Sequence, residues 1–177
     1  MASINGISIK SLKMFHGHEG EELFQGNVYK DGKKLGFWSQ DFSGGVCDNF
    51  DFDETPVAEA AEAYKNFSGK VEKDTKEYFD ASFFMSELAE LTDIEKEFKK
   101  WKKKGYPSII IVKGGGFTWT QSTTMPASTK EEKEAVFEKF GKKFVEEFKA
   151  KTPKWAHTDI KTEVFGQDDF TLRYDAA

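Results

Sequence analysis

The chain has 177 residues, enough for one domain with a sizeable apolar core. A mean hydropathy of -0.63 and 32% charged residues resemble a disordered composition, but the periodic aromatics argue against that reading, with 18 phenylalanines that each bury a large area. Net charge is -5 and Arg173 is the single arginine among 26 basic residues. That argues against a sequence-specific DNA binder, whose guanine and phosphate contacts rest on arginine's planar fork.

The single cysteine, Cys47, forbids an intramolecular disulfide. No N-terminal apolar run has signal-peptide length, and no apolar stretch is long enough to span a membrane. A soluble cytoplasmic protein is the economical expectation. The acidic excess lies early: residues 1–54 hold 5 basic and 9 acidic side chains, while the later segments are close to balance.

In chain order, Ile7 and Ile9 alternate with Ser8 and Lys10, and Leu12 and Met14 continue in the opposite phase. This predicts a strand with a bulge near Lys10–Ser11. A polar loop, His16 to Glu22, leads into a hairpin closed by Asp31-Gly32, where a type I′ turn needs positive φ at both residues. Lys30 then faces Lys33, Val28 faces Leu35, Gly26 faces Phe37 and Phe24 faces Ser39. With alternating side chains, Phe24, Val28, Leu35 and Phe37 form the expected core face. Gln25, Tyr29, Lys34 and Trp38 form a half-wet one. Gly44-Gly45 marks a further turn or bulge before a third strand, in which Val46, Phe50 and Phe52 alternate with Cys47, Asn49 and Asp51. Asp48 interrupts the apolar face and suggests a sheet edge.

Thr55-Pro56 opens a helix, Thr55 as its cap, with Val57, Ala60, Ala61, Tyr64 and Phe67 on one stripe and Gly69 at its end. Lys70–Glu77 is a charged connector or a short helix. Phe84, Leu88, Leu91, Phe98 and Trp101 give a second stripe, with a break or bend expected where Thr92 to Glu95 fits a capping box. Lysines crowd its last turn, and Gly105 and Pro107 stop it. Ser108–Val112 reads as a strand buried on both faces, turned by Lys113 to Gly116 into Phe117–Ser122. Ser128 or Thr129 caps a helix with a broad aromatic face, which Thr152-Pro153 ends. A last hairpin is expected between Ile160–Val164 and Phe170–Tyr174. The order βββ-αα(α)-ββ-α-ββ predicts a single α+β domain over residues 1–177, an antiparallel sheet with helices packed on it.

Chemistry-bearing residues fall into a few groups. His16 and His18, at i and i+2 in an extended segment, project to one side and suit a divalent metal if Asp41, Asp48 or His157 completes the set. An exposed polar loop is the plainer reading. Asp41, Asp48, Asp51, Asp53 and Glu54 make an acidic run suited to Ca²⁺ or Mg²⁺, though without calcium-loop spacing, or to a basic partner, with Trp38 the large apolar residue beside it. A charged edge that discourages edge-to-edge pairing explains the same run. Lys113 to Gly116 lacks the far-end Gly-Lys-Ser/Thr of a phosphate loop and reads as a hairpin turn. Trp38, Trp119, Thr118 and Thr120 are candidates for a single-stranded nucleic-acid face, which the acidic balance disfavours. Cys47 has no base at an informative spacing and reads as a small buried apolar residue.

Asp31-Gly32-Lys33-Lys34-Leu35-Gly36 followed by Asp41-Phe42-Ser43-Gly44-Gly45 resembles a pattern in small uncharacterised proteins of phages and bacterial mobile elements, over roughly the first fifty residues. The resemblance implies a non-secreted accessory protein that engages a host protein, and no catalytic residue. The leading expectation is therefore a non-enzymatic protein that binds another protein and needs no cofactor. The alternatives are a small metal-dependent enzyme built on His16, His18 and nearby carboxylates, and a single-stranded nucleic-acid binder.

Overall fold

Alternating apolar residues joined by tight turns build the first sheet. The computed structural model describes residues 1–18, 22–42 and 46–174. Strands β1 (Ser3–Ile4), β2 (Ile7–His16), β3 (Glu22–Lys30), β4 (Lys33–Phe42) and β5 (Val46–Phe50) form an antiparallel meander, and β9 (Thr171–Leu172) joins β1 in parallel. The order across the sheet is β5-β4-β3-β2-β1-β9. Asp31 and Gly32 take φ of 46° and 84°, so the type I′ turn forms as the dipeptide predicts, with Lys30 facing Lys33. The Asp31 backbone N–H donates to the Gly6 carbonyl at 2.8 Å, and Arg173 donates to the Asp31 carboxylate at 2.9 Å. The Gly44-Gly45 turn and the loop around Gly20 lie outside the described residues.

Two bulges set the sheet's faces. The first is where the sequence places it: Ser11 and Leu12 together oppose Gly26, and Ser11 has a φ of 55°. The second differs from expectation. Tyr29 pairs with Lys34 but Val28 pairs with Gly36, so Leu35 is an extra residue in β4. Beyond it every β4 side chain changes face. Trp38, expected on the half-wet side, is fully buried, while Phe37, expected in the core, is 37% exposed.

α1 (Thr55–Phe67) and α2 (Ala81–Lys102) supply the helical layer. Thr55 is the first helical residue rather than the cap. Glu54 holds the cap position without a side-chain cap bond, and Asp53 before it accepts from the Thr55 N–H at 3.0 Å and its hydroxyl at 2.6 Å. The break expected at Thr92 does not occur. Thr92 is buried and donates to the Leu88 carbonyl at 2.7 Å, a bond made within a continuing helix. The buried Glu95 carboxylate accepts from the terminal ammonium and the Ala2 N–H, each at 2.9 Å.

The second sheet has the order β7-β6-β8, from β6 (Ser108–Gly114), β7 (Phe117–Thr123) and β8 (Lys161–Phe165). β6 is central and buried on both faces from Ser108 to Val112, as its β-branched run predicts. Against it lie α3 (Lys130–Val136), a π-helical turn (Phe137–Gly141) and α4 (Lys142–Lys151), with Ile110, Val112, Val136, Phe144 and Phe148 at the centre. Thr129 and Glu132 form the expected capping box. Within the π turn the Phe137 ring lies over Gly141, where a Cβ would collide with it.

The last hairpin is not formed. β8 pairs with β6, and β9 pairs with β1 of the other sheet. Residues 167–170 make a 3-10 turn in place of a two-residue reversal, the Asp169 carboxylate accepting from the Gly166 N–H at 2.7 Å, and buried Phe170 follows. The protein is α+β, with mainly antiparallel sheets and helices packed on them. Its contacts gather into two compact units, Met1–Glu95 with the segment from Phe170 onward, and Lys96–Asp169.

A methyl group at position 26 tests the first bulge. A Cβ there would lie 2.5 Å from Ile9 Cγ2 and 3.1 Å from the Lys10 carbonyl oxygen. Gly26→Ala is expected to cost about 1–3 kcal/mol in urea unfolding, the usual penalty of overpacking. Gly32→Ala, with open space around it, probes turn strain alone.

Candidate functional site

The bulge at Leu35 turns Trp38 and Gln40 to the inner face of the first sheet. The β4–β5 register sets Gln40 opposite Asp48 and Trp38 opposite Phe50. Asp80 begins α2, its carboxylate accepting from the Ser82 N–H at 2.9 Å and the Phe83 N–H at 3.1 Å. The next turn presents Ser82 and Ser86, four residues apart on one helix face.

These groups meet in a polar corner. Trp38 Nε1 donates to Asp48 Oδ1, and Ser82 and Gln40 also bond to that carboxylate. Gln40 is buried, accepts from the Phe24 N–H at 3.1 Å and donates to Ser86 Oγ at 3.2 Å. Burial pushes the Asp48 carboxyl above its ordinary pKa. The bonds from Trp38, Ser82 and Gln40 pull it back, and the nearby Asp80 charge adds to the rise. A half-buried carboxyl met by several donors is a clamp: it holds the sheet's outer strand to the start of α2. Its donors leave it poorly placed to act on a substrate.

The other candidates from the sequence are dispersed. Trp38 is no partner surface, because the Leu35 bulge buries it. Asp51 Oδ1 accepts from the Phe37 N–H at 2.5 Å, and the Asp51 N–H donates to the Phe37 carbonyl at 3.1 Å. Asp53 lies just ahead of α1, and its bonds to Thr55 hold its carboxyl below the usual range. Asp41 is exposed and pairs across the strands with Cys47. Cys47 is itself exposed and not buried as expected, since it alternates with inward Asp48.

His16 is exposed, pairing with Glu22 across β2 and β3, and His18 is exposed as well. Among the described residues no three His, Cys, Asp or Glu side chains gather closely enough to hold a metal ion. Trp119 packs against Phe144 and Phe148, with ring centroids 6.4 and 6.1 Å away, so it belongs to the core and offers no stacking platform. In the Lys113–Gly116 turn, Gly115 comes so close to Ala156 that a Cβ would lie 2.5 Å from its Cα. The turn is thus a packing contact, not an anion cradle.

The sequence reading missed an aromatic ladder. Tyr64, buried on α1, stacks on Phe79 at 5.7 Å, and Phe79 stacks on Phe83 at 6.0 Å. Phe83 is 49% exposed, and neighbouring Tyr78 is 68% exposed. The available signal was Tyr78-Phe79 at the end of a charged connector, an apolar pair in a segment otherwise fit for solvent. Among the described residues no helix is long and apolar enough to cross a membrane. No family model matches the chain, no curated protein matches it in sequence, and no solved structure matches it in fold.

Two substitutions separate the clamp's charge from its hydrogen bonds. Asp48→Ala leaves the buried Trp38 N–H unpaired and is expected to cost about 1–3 kcal/mol. Asp48→Asn keeps an acceptor for Trp38, removes a desolvated charge and is expected to cost less. Because the folded carboxyl titrates above its unfolded value, its contribution is fully present at low pH. It is lost as pH rises from the ordinary carboxylate pKa through the raised one. Stability measured by urea unfolding across that window falls for the wild type, and this component is absent from Asp48→Asn.

Proposed function

We propose that the protein is a non-enzymatic interaction protein that engages another protein through the aromatic ladder at the start of α2. The carrying observation is the run from buried Tyr64 through Phe79 to solvent-facing Phe83, with Tyr78 beside it. Rings anchored at one end and open at the other are rigid, and they offer large contact area at low entropic cost. Exposed Phe83 ends a stacked column and exposed Tyr78 adjoins Phe79 in the chain, so both offer apolar surface at one place in the sequence.

Charge specifies the partner. The unit formed by Met1–Glu95 and the segment from Phe170 carries 10 basic and 20 acidic residues, a net of -10. A surface of that sign steers a basic partner toward it. The partner is therefore a protein that presents an apolar side chain among lysines or arginines. The resemblance of the opening hairpin supports a phage or mobile-element setting, a host protein as that partner and action inside the cell. The polar corner behind the ladder has a supporting role, since Asp80 and Ser82 fix the first turn of the helix that bears Phe83.

The test uses the purified chain immobilised in native host lysate and a Tyr78→Ala/Phe83→Ala double variant. The wild type is expected to retain a stoichiometric partner that weakens with added salt. The double variant, with an unchanged far-UV spectrum, is expected to lose affinity by about tenfold or more, the scale of an interface anchor. Equal retention by both proteins, or no stoichiometric partner at all, overturns the proposal.

A further inference from the structure

A sheet edge exposes a row of unpaired N–H and C=O groups, and proteins blunt it with charge, proline, bulges or brevity. The edges of the two sheets differ in this respect. β9 has two residues, β5 has five and carries Asp48, and β8 carries Lys161 and Glu163. β7 has none of these devices. Its seven residues, Phe-Thr-Trp-Thr-Gln-Ser-Thr, contain no charge and no proline, and its pairing with β6 runs without a register shift.

The turn fixes which groups face outward. Gly115 and Gly116 both have positive φ, 52° and 76°, so they form a two-residue type I′ reversal. Gly114 and Phe117 then exchange hydrogen bonds, as do Val112 with Trp119 and Ile110 with Gln121, two residues further each time. The N–H and C=O groups of Thr118, Thr120 and Ser122 consequently point away from β6. Among the described residues none of these groups has a backbone partner.

We infer that β7 pairs antiparallel with β7 of a second copy of this chain, joining two three-stranded sheets into one. Centred on Thr120, the strand is its own complement: Thr120 faces Thr120, and Thr118 faces Ser122. Each of these pairs exchanges both backbone bonds. Hydroxyl-bearing side chains are favourable cross-strand neighbours, and no like charges are opposed. On the other face Trp119 meets Gln121 and Phe117 meets Thr123. Charge restricts where two copies can meet. The unit Lys96–Asp169 holds 16 basic and 11 acidic residues, a net of +5, so two copies repel wherever lysines meet. An uncharged strand is the place where they can join. This surface is independent of the aromatic ladder, so either proposal can fail alone.

The experiment measures mass by light scattering on a sizing column over a concentration series of the full chain. The expected wild-type mass rises to twice the 20.1 kDa of one chain. Thr120→Pro removes an outward N–H without removing a β6–β7 bond, and Thr120→Lys adds a charge to the edge. Both variants are expected at single-chain mass with an unchanged far-UV spectrum. A second arm uses T120C in a C47S background, in which mild oxidation is expected to produce a disulfide-linked dimer of the folded protein. A wild type of single-chain mass at every concentration overturns the inference. So does a folded Thr120 variant that still doubles in mass, or a T120C/C47S protein that oxidation fails to link.

Discussion

One extra residue in β4 governs the first unit. A strand alternates its side chains with a period of two, so inserting Leu35 between the partners of Tyr29 and Val28 exchanges the faces of everything after it. Trp38 moves into the core and Phe37 moves out. Gln40 and Asp48 follow Trp38 inward, and the polar corner with Ser82 and Ser86 exists only because of that exchange. Burying an indole obliges its N–H to find an acceptor. Asp48 is that acceptor, and its cost is a carboxyl displaced from water.

The same constraint explains which parts of the fold were legible in the sequence. The Asp31-Gly32 turn, the bulge at Ser11, the doubly buried run Ser108–Val112 and the capping box at Thr129 are local features, each written in a few adjacent residues. The bulge at Leu35 has no such mark, because Lys-Leu-Gly fits a regular strand as well as a bulged one. Thr92 to Glu95 shows the opposite failure. The capping signature is real in composition, but both groups are engaged otherwise: Thr92 back-bonds to Leu88 within the same helix, and Glu95 binds the distant terminal ammonium. A local i−4 bond and one tertiary partner together displaced the capping arrangement there. The final hairpin failed for a related reason, since β8 found β6 and β9 found β1.

The acidic run around β5 is the clearest case of residue type without the expected role. Read as a string it is a charged surface; in the fold most of it serves the backbone. Asp51 bonds the Phe37 N–H, Asp53 bonds the Thr55 N–H at the start of α1, and Asp48 receives the Trp38 indole; outside the run, Asp80 caps α2 in the same way. Short carboxylates near turns and helix starts satisfy orphan donors, and a donor accounting assigns them before any partner is invoked. What remains for a partner is the long-range field of the unit, which survives because a hydrogen-bonded carboxylate is still charged. Contact specificity then has to come from elsewhere, and the exposed end of the Tyr64–Phe79–Phe83 column can supply it.

Charge counted along the chain and charge counted by unit lead to different physics. Consecutive thirds look acidic and then neutral, yet the two compact units carry -10 and +5. Screening confines each field to about 8–10 Å at ordinary ionic strength, so a ligand responds to the unit it meets and not to the total. Whole-chain acidity is therefore a weak reason to dismiss polyanions at the basic unit. The stronger reasons are structural. Lys100, Lys130, Lys143 and Lys149 pair with glutamates one helical turn away, as a solvated helix face does. Trp119, the aromatic best placed to stack a base, is committed to Phe144 and Phe148. A basic unit without arginine forks, whose Trp119 is packed away, draws polyanions chiefly through diffuse charge. On β7 the same unit offers a neutral strand whose backbone groups still lack partners among the described residues, and directed hydrogen bonds make a contact there specific where diffuse charge does not.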